Sequence, residues 1–222
     1  MKTQANSSFI ARLSQMGGLG LAYFGVGKLA LMLAIPPGYA TAVWPAAGIA
    51  LAGILLFGLG VWPGILIGSF LVNIWIFFTA SHPAAIFSSL SLSIGLAVGA
   101  TLQAMAGAYL IQRLVGFPKL LDRIQNIFKM MVLGGPVSCV VGATISVTGL
   151  LLADVIPSNT YLLNWWTWWL GDTAGVLLLI PLVAMWRMKL GQAQRRTRFF
   201  AALVLCLAVV LSVVVYLSLI HI

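Results

Sequence analysis

Acidic residues are almost missing from this chain: three aspartates and no glutamate in 222 residues, with only 7% of residues charged. So few charges cannot clothe a water-soluble core. Histidine and cysteine are as scarce, with His82, His221, Cys139 and Cys206 making up the whole supply. Both cysteines fall inside apolar runs, so they read as packing residues and not as a disulfide framework. No His/Cys/Asp cluster has metal-ligand spacing, and no glycine-rich phosphate loop of the Walker type occurs. A hydrolytic triad needs a placed base, and His82 sits beside Pro83 in a short linker. The expectation is therefore a non-enzyme with no catalytic residue, no metal and no cofactor.

Apolar sequence is what the chain has in quantity: 62% hydrophobic residues and a mean hydropathy of +1.10. Several runs reach the roughly 20 residues that a helical membrane span needs. They do not alternate apolar and polar residues, as membrane β-strands do. We expect an all-α, polytopic transmembrane helical bundle, with seven spans in this chain. The spans fall at about 17–35, 40–58, 61–80, 86–111, 130–152, 164–186 and 199–219. Residues 1–16 form a short basic lead. The first apolar run is too long for a signal peptide and lacks a cleavage site before Pro36, so it reads as an uncleaved span. Residues 112–129 carry Leu120, Leu121, Ile124, Ile127 and Phe128 at helical spacing, which suggests a short helix lying in the membrane interface. Span 5 is broken early by Gly134-Gly135-Pro136, and Pro181 should kink span 6.

The net charge of +9 does not indicate nucleic acid. With the N-terminus in the cytoplasm, the inner segments hold Lys2, Arg12, Arg113, Lys119, Arg123, Lys129, Arg187, Lys189, Arg195, Arg196 and Arg198, eleven of the twelve basic residues. The outer segments hold none, as the positive-inside rule expects. Lys28 alone lies within a span. An odd number of spans leaves the C-terminus outside, which is awkward for a cytoplasmic continuation. The closing LSLIHI is also what a common transposase adapter encodes in one frame. We expect residues 217–222 to be a non-native tail.

Small residues recur where helices could approach closely. Span 4 has Ser91, Gly95, Gly99, Gln103 and Gly107 at four-residue spacing, and span 5 has Ser138, Gly142 and Ser146. Helix packing is the plain reading of both rows, with Gln103 bonding a neighbouring helix. Gly171 and Gly175 bracket Asp172, an acid inside an apolar span. Charges at such depth are costly and usually functional.

At 1.5 Å per residue, Lys28, Asn73 and Asp172 fall about 10–13 Å below the outer membrane face, and Trp44 about one turn below it. Trp168 and Trp169, at i−4 and i−3, share the Asp172 face. Two readings stand. Lys28 and Asp172 could form a buried ion pair that fixes helix order. Alternatively, Lys28 and Asp172 could meet a polar ligand in an outward-facing pocket, with Asn73 hydrogen-bonding and Trp44, Trp168 and Trp169 as walls. An ion pair broken by a ligand would unite the two as a switch. A third arrangement, in which the residues never meet, also stays open. Trp165 and Trp166 read as interface anchors.

Three stretches carry a resemblance: YFGVGKLALMLAIPPGYATAVWPAAGIALAGILLFG, VWPGILIGSFLVNIW and NWWTWWLGDTAGVLLLIPLV. In this order they resemble the MASE1 family, an integral membrane sensory domain of bacteria, over about residues 17–216. Trp44, Pro45, Asn73, Gly171 and Asp172 lie within these stretches. The resemblance implies about eight spans placed before a cytoplasmic output module, mainly a histidine kinase or a cyclic-di-GMP cyclase or phosphodiesterase. It therefore implies that a last span and an output domain are missing here. Expected partners are the lipid bilayer, that output domain, a second copy of the chain and a membrane partner protein, with no nucleic acid. The expected location is the bacterial inner membrane. The rival class is a small-solute transporter, which broken helices and midplane charges also suit.

Overall fold

The computed structural model describes residues 2–32, 34–35, 40–116 and 124–187. Seven α-helices are present among them: α1 (Lys2–Leu31), α2 (Pro45–Phe57), α3 (Trp62–Phe77), α4 (Pro83–Leu114), α5 (Ile124–Val132), α6 (Ser138–Leu152) and α7 (Tyr161–Arg187). A minimal hairpin, β1 (Ala34–Ile35) and β2 (Ala40–Thr41), pairs antiparallel between α1 and α2 with Ala34 opposite Thr41. The expected span 199–219 and the tail 217–222 lie outside the described residues, as do Leu120, Leu121 and Asp122.

Large apolar side chains cover much of the outer surface of the bundle. Leu21, Leu29, Ile67, Trp75, Ile94 and Leu102 all point outward and are exposed. In water that would be a large penalty; in hydrocarbon it is the ordinary solvent-facing surface. Among the described residues, three helical rods are long and apolar enough to cross a membrane: Leu59–Phe77, Pro83–Leu114 and Gln125–Leu152. Two expectations are corrected at this point. The helix of the second apolar run is only the 13 residues of α2, about 20 Å at the helical rise, because residues 40–44 are spent on β2 and the approach to Pro45. The segment at 124–132 is not a separate interfacial helix. It continues into α6 through a π turn, Leu133–Val137.

That π turn explains the Gly-Gly-Pro sequence. Pro136 removes a backbone donor, and a wide turn absorbs the mismatch instead of ending the helix. Gly134 and Gly135 are buried there, and a Cβ at Gly134 would strike the Leu51 side chain at 2.6 Å. α7 runs on through Pro181 as one helix.

Glycines bring backbones together elsewhere too. α1 lies on α3 so closely that a Cβ at Gly20 would sit 2.9 Å from the Gly64 carbonyl oxygen, and one at Gly68 would sit 2.6 Å from that of Gly20. The Met16 backbone packs on Gly64 at the start of α3. Leu51, Ile54, Ile65, Ile111, Met130 and Ile180 fill the space between helices and are fully buried. Arg12 precedes Met16 by about one turn, Arg113 is in the last turn of α4, and Lys129 is in the last turn of α5, before the buried π turn. These cations gather at the end away from the hairpin. At the hairpin end His82 caps α4, its Nδ1 accepting from the Ala85 amide at 3.1 Å.

Candidate functional site

The segment Thr41–Pro45 is laid directly on the backbone of α7. The Trp44 amide donates to the Gly171 carbonyl at 2.8 Å. A Cβ at Gly171 would sit 2.7 Å from the Thr41 carbonyl oxygen, and one at Gly175 would collide with the Trp44 carbonyl. Gly48, in the first turn of α2, faces the Gly175 carbonyl in the same manner. The two glycines around Asp172 thus let an extended strand and a helix start touch α7 on both sides of the acid.

Asp172 is buried, yet two cavities reach it. The outer one lies under the hairpin and is walled by Leu31, Ile76, Phe77 and Thr167 besides the shared residues. The inner one extends toward α4 and α6 and includes Tyr23, Ser69, Gln103, Gly142 and Ser146. Trp44, Asn73, Trp168 and Asp172 line both. These four form the partition between the cavities.

Hydrogen bonds fix the partition. Asn73 Nδ2 donates to the Ser69 carbonyl at 2.8 Å and to Ser69 Oγ at 3.3 Å, which leaves Asn73 Oδ1 as its open acceptor. Trp44 Nε1 donates to the Tyr23 hydroxyl at 3.4 Å. Gln103 Nε2 donates to Cys139 Sγ at 3.4 Å, and the same side chain is within hydrogen-bonding reach of Asp172. Gln103 Oε1 is buried without any partner, lodged against Gly142.

Two of the six expected ligand residues lie elsewhere. Lys28 lines neither cavity. Its ammonium sits 3.9 Å from the centroid of the Trp75 ring, on the outer surface of α3. At 100° per residue, position 28 is turned about 140° from Tyr23, the α1 residue that faces the inner cavity. The ion pair with Asp172 is therefore not formed. Trp169 is turned to α6: its Nε1 donates to the Pro136 carbonyl at 2.8 Å, at the π turn. Its ring stacks on Trp165 at 6.1 Å and meets Trp166 edge-on at 5.3 Å, while Trp165 Nε1 bonds Thr144 Oγ1 at 3.1 Å. Trp168 lies about 40° from the Asp172 direction on the helical wheel, and Trp169 lies about 60° to the other side. One tryptophan therefore enters the cavities while its neighbour joins a structural cluster.

The expected packing row on α4 is followed only in part. Gly99 packs on Ile145 and Ser146, Gln103 on Gly142, and Gly107 on Ser138. Ser91 is exposed and bonds back to the Phe87 carbonyl at 2.7 Å, and Gly95 faces open space. A strict four-residue spacing advances about 40° per step, so the row turns about 160° from Ser91 to Gly107 and cannot face one partner throughout.

Tyr23 was missed by sequence reasoning, although it is fully buried and lines the inner cavity. The signal was present: Gly20 and Gly27, at i−3 and i+4, mark the face of α1 that Tyr23 shares. Ser69, one helical turn before Asn73, carried a similar signal.

The family model MASE1 matches residues 15–222, all but the first fourteen residues. The chain belongs to the MASE1 family. No curated protein and no solved structure matches it. MASE1 is a membrane-associated sensory domain family, and the apolar exterior of the bundle agrees with a place in the membrane.

Proposed function

We propose that this MASE1 domain is the sensory input part of a bacterial signalling protein of the inner membrane, and that its signal acts at the partition formed by Trp44, Asn73, Trp168 and Asp172. The N-terminus and the cluster of Arg12, Arg113 and Lys129 lie in the cytoplasm, and the hairpin end with its outer cavity faces outward or into the outer leaflet. The gathering of those cations at the end opposite the hairpin supports this orientation. The domain crosses the membrane several times, and a following span carries the response to a cytoplasmic histidine kinase or a cyclic-di-GMP cyclase or phosphodiesterase. A second copy of the chain or a membrane partner protein would complete the assembly.

The observation that carries the reading is the shared partition: residues from α2's start, α3 and α7 separate two cavities around a buried acid. A ligand there would alter the spacing of three helices at once, and closely packed helices respond to such a change by discrete rearrangement. A fusion of this domain to a kinase or cyclic-di-GMP output module provides the test. Asp172→Asn and Trp168→Ala should each shift kinase or cyclic-di-GMP output at least threefold, whereas Trp166→Phe, on the exposed side of α7, should not. Unchanged output in both cleft variants, with normal membrane insertion, would remove the proposed site.

A small-solute carrier is the second reading, because the cavities meet end to end at Asp172 beside a short helix and a π turn. Solute uptake by vesicles carrying the domain alone would favour it.

A further inference from the structure

The partition is unbalanced in both charge and hydrogen bonding. Asp172 is the only acid in a helix among the described residues. Neither cavity has a lysine, arginine or histidine among its described lining residues, and Lys28 is held by Trp75. Asn73 Nδ2 and Trp44 Nε1, two of the nitrogen donors nearest the acid, are engaged with Ser69 and Tyr23, and the one amide that reaches the acid, that of Gln103, is neutral and is shared with Cys139. The acceptors are open. Asp172 reaches both cavities, Asn73 Oδ1 has its lone pairs free of Ser69, and Gln103 Oε1 is buried and unpartnered beside the inner cavity. A buried carboxylate without a counter-charge is costly, and so is an orphaned acceptor. The complementary ligand brings positive charge and N–H donors.

The walls narrow the choice. Two indole rings, Trp44 and Trp168, border both cavities beside the acid, and indole is the strongest of the aromatic faces for a cation. The outer cavity adds Leu31, Ile76 and Phe77, an apolar lodging that a bare metal ion would not use.

We propose that the paired cavities bind a small organic monocation, its ammonium held by Asp172 at the partition and its apolar body lodged in the outer cavity between Trp44 and Trp168. The inference rests on the cleft being the sensory site and adds the chemical class of what it senses.

The test is titration of the purified domain in lipid nanodiscs with 2-phenylethylamine at neutral pH, read by tryptophan fluorescence and calorimetry against empty nanodiscs. Its neutral analogue 2-phenylethanol, the anion phenylacetate and sodium chloride serve as comparators. The amine should bind saturably and at least tenfold more tightly than the alcohol, with no saturable signal from the anion. Asp172→Asn should lower amine affinity at least tenfold and leave the alcohol unchanged. Equal affinity for amine and alcohol, an unaffected Asp172→Asn, no saturable amine binding, or saturable sodium binding in place of the amine would each overturn the proposal. Should Asp172→Asn fail to insert, Trp168→Leu keeps every charge and carries the test: amine affinity should fall several-fold, and an unchanged value would overturn it. Output that responds to cleft substitutions while amines fail to bind would remove this inference and leave the sensory reading standing.

Discussion

Two of the seams in the bundle, both built from small residues, border the cleft. Where the Thr41–Pro45 segment and α2 meet α7, the contact is backbone on backbone: Gly171 on Thr41, Gly175 on Trp44, and Gly48 on Gly175. Where α4 meets α6, the contact runs through side chains: Gly107 on Ser138, Gly142 on Gln103, and Gly99 on Ile145. The difference lies in what can yield. A carbonyl fixed in a helix start cannot move aside, whereas an amide at the end of a glutamine can rotate. The first seam is therefore the rigid edge of the cleft, and the second is its adjustable floor.

Methyl groups placed on glycines should break this comparison in a graded way. Gly175→Ala sets a Cβ against the Trp44 carbonyl and should destabilise the fold by on the order of 3 kcal/mol. Unfolding in a mixed-micelle SDS titration followed by tryptophan fluorescence would measure it; a loss below that of Gly142→Ala would reverse the assignment of the rigid seam. Gly142→Ala meets the amide end of Gln103, which can turn away, so about 1 kcal/mol is expected in the same titration. It should also change the inner cavity, because Gln103 and Gly142 both line it. Gly95→Ala touches nothing within 4 Å, so helix propensity should prevail, with a gain of about 0.5 kcal/mol. A marked loss there would mean that Gly95 packs on a partner, for which a second copy of the chain is the first candidate.

Much of the helical arrangement was legible because apolar runs of spanning length have few other fates. The depth estimate set Trp44, Asn73 and Asp172 near one level, and the structure brings them to one partition with Trp168. Directions around each helix were harder to read. Lys28 stands at a fitting depth but on the wrong side of α1, and the glycines at 20 and 27 that reveal this were not used as a compass. Trp168 and Trp169 are sequence neighbours with opposite duties, because one residue is 100° of rotation. The shortness of α2 was hidden in a uniformly apolar run: AVWPAAGIALAG reads as continuous helix until Pro45 is seen as its first residue. Gly134-Gly135-Pro136 announced a disruption, yet its form as a wide turn inside one rod depends on Leu51 and Leu177 packing against it from α2 and α7.

That wide turn is tied to the acid's helix. Trp169, three positions before Asp172, holds the carbonyl of Pro136, the proline inside the turn. A π turn contains one residue more than the helix around it needs, and passing that residue along the rod would swing α5 by about 100° against α6. Lys129 lies in the last turn of α5, at the basic end of the bundle. The rod is thus threaded like a screw with a single loose pitch, and its thread is gripped from the same helix turn that carries Asp172.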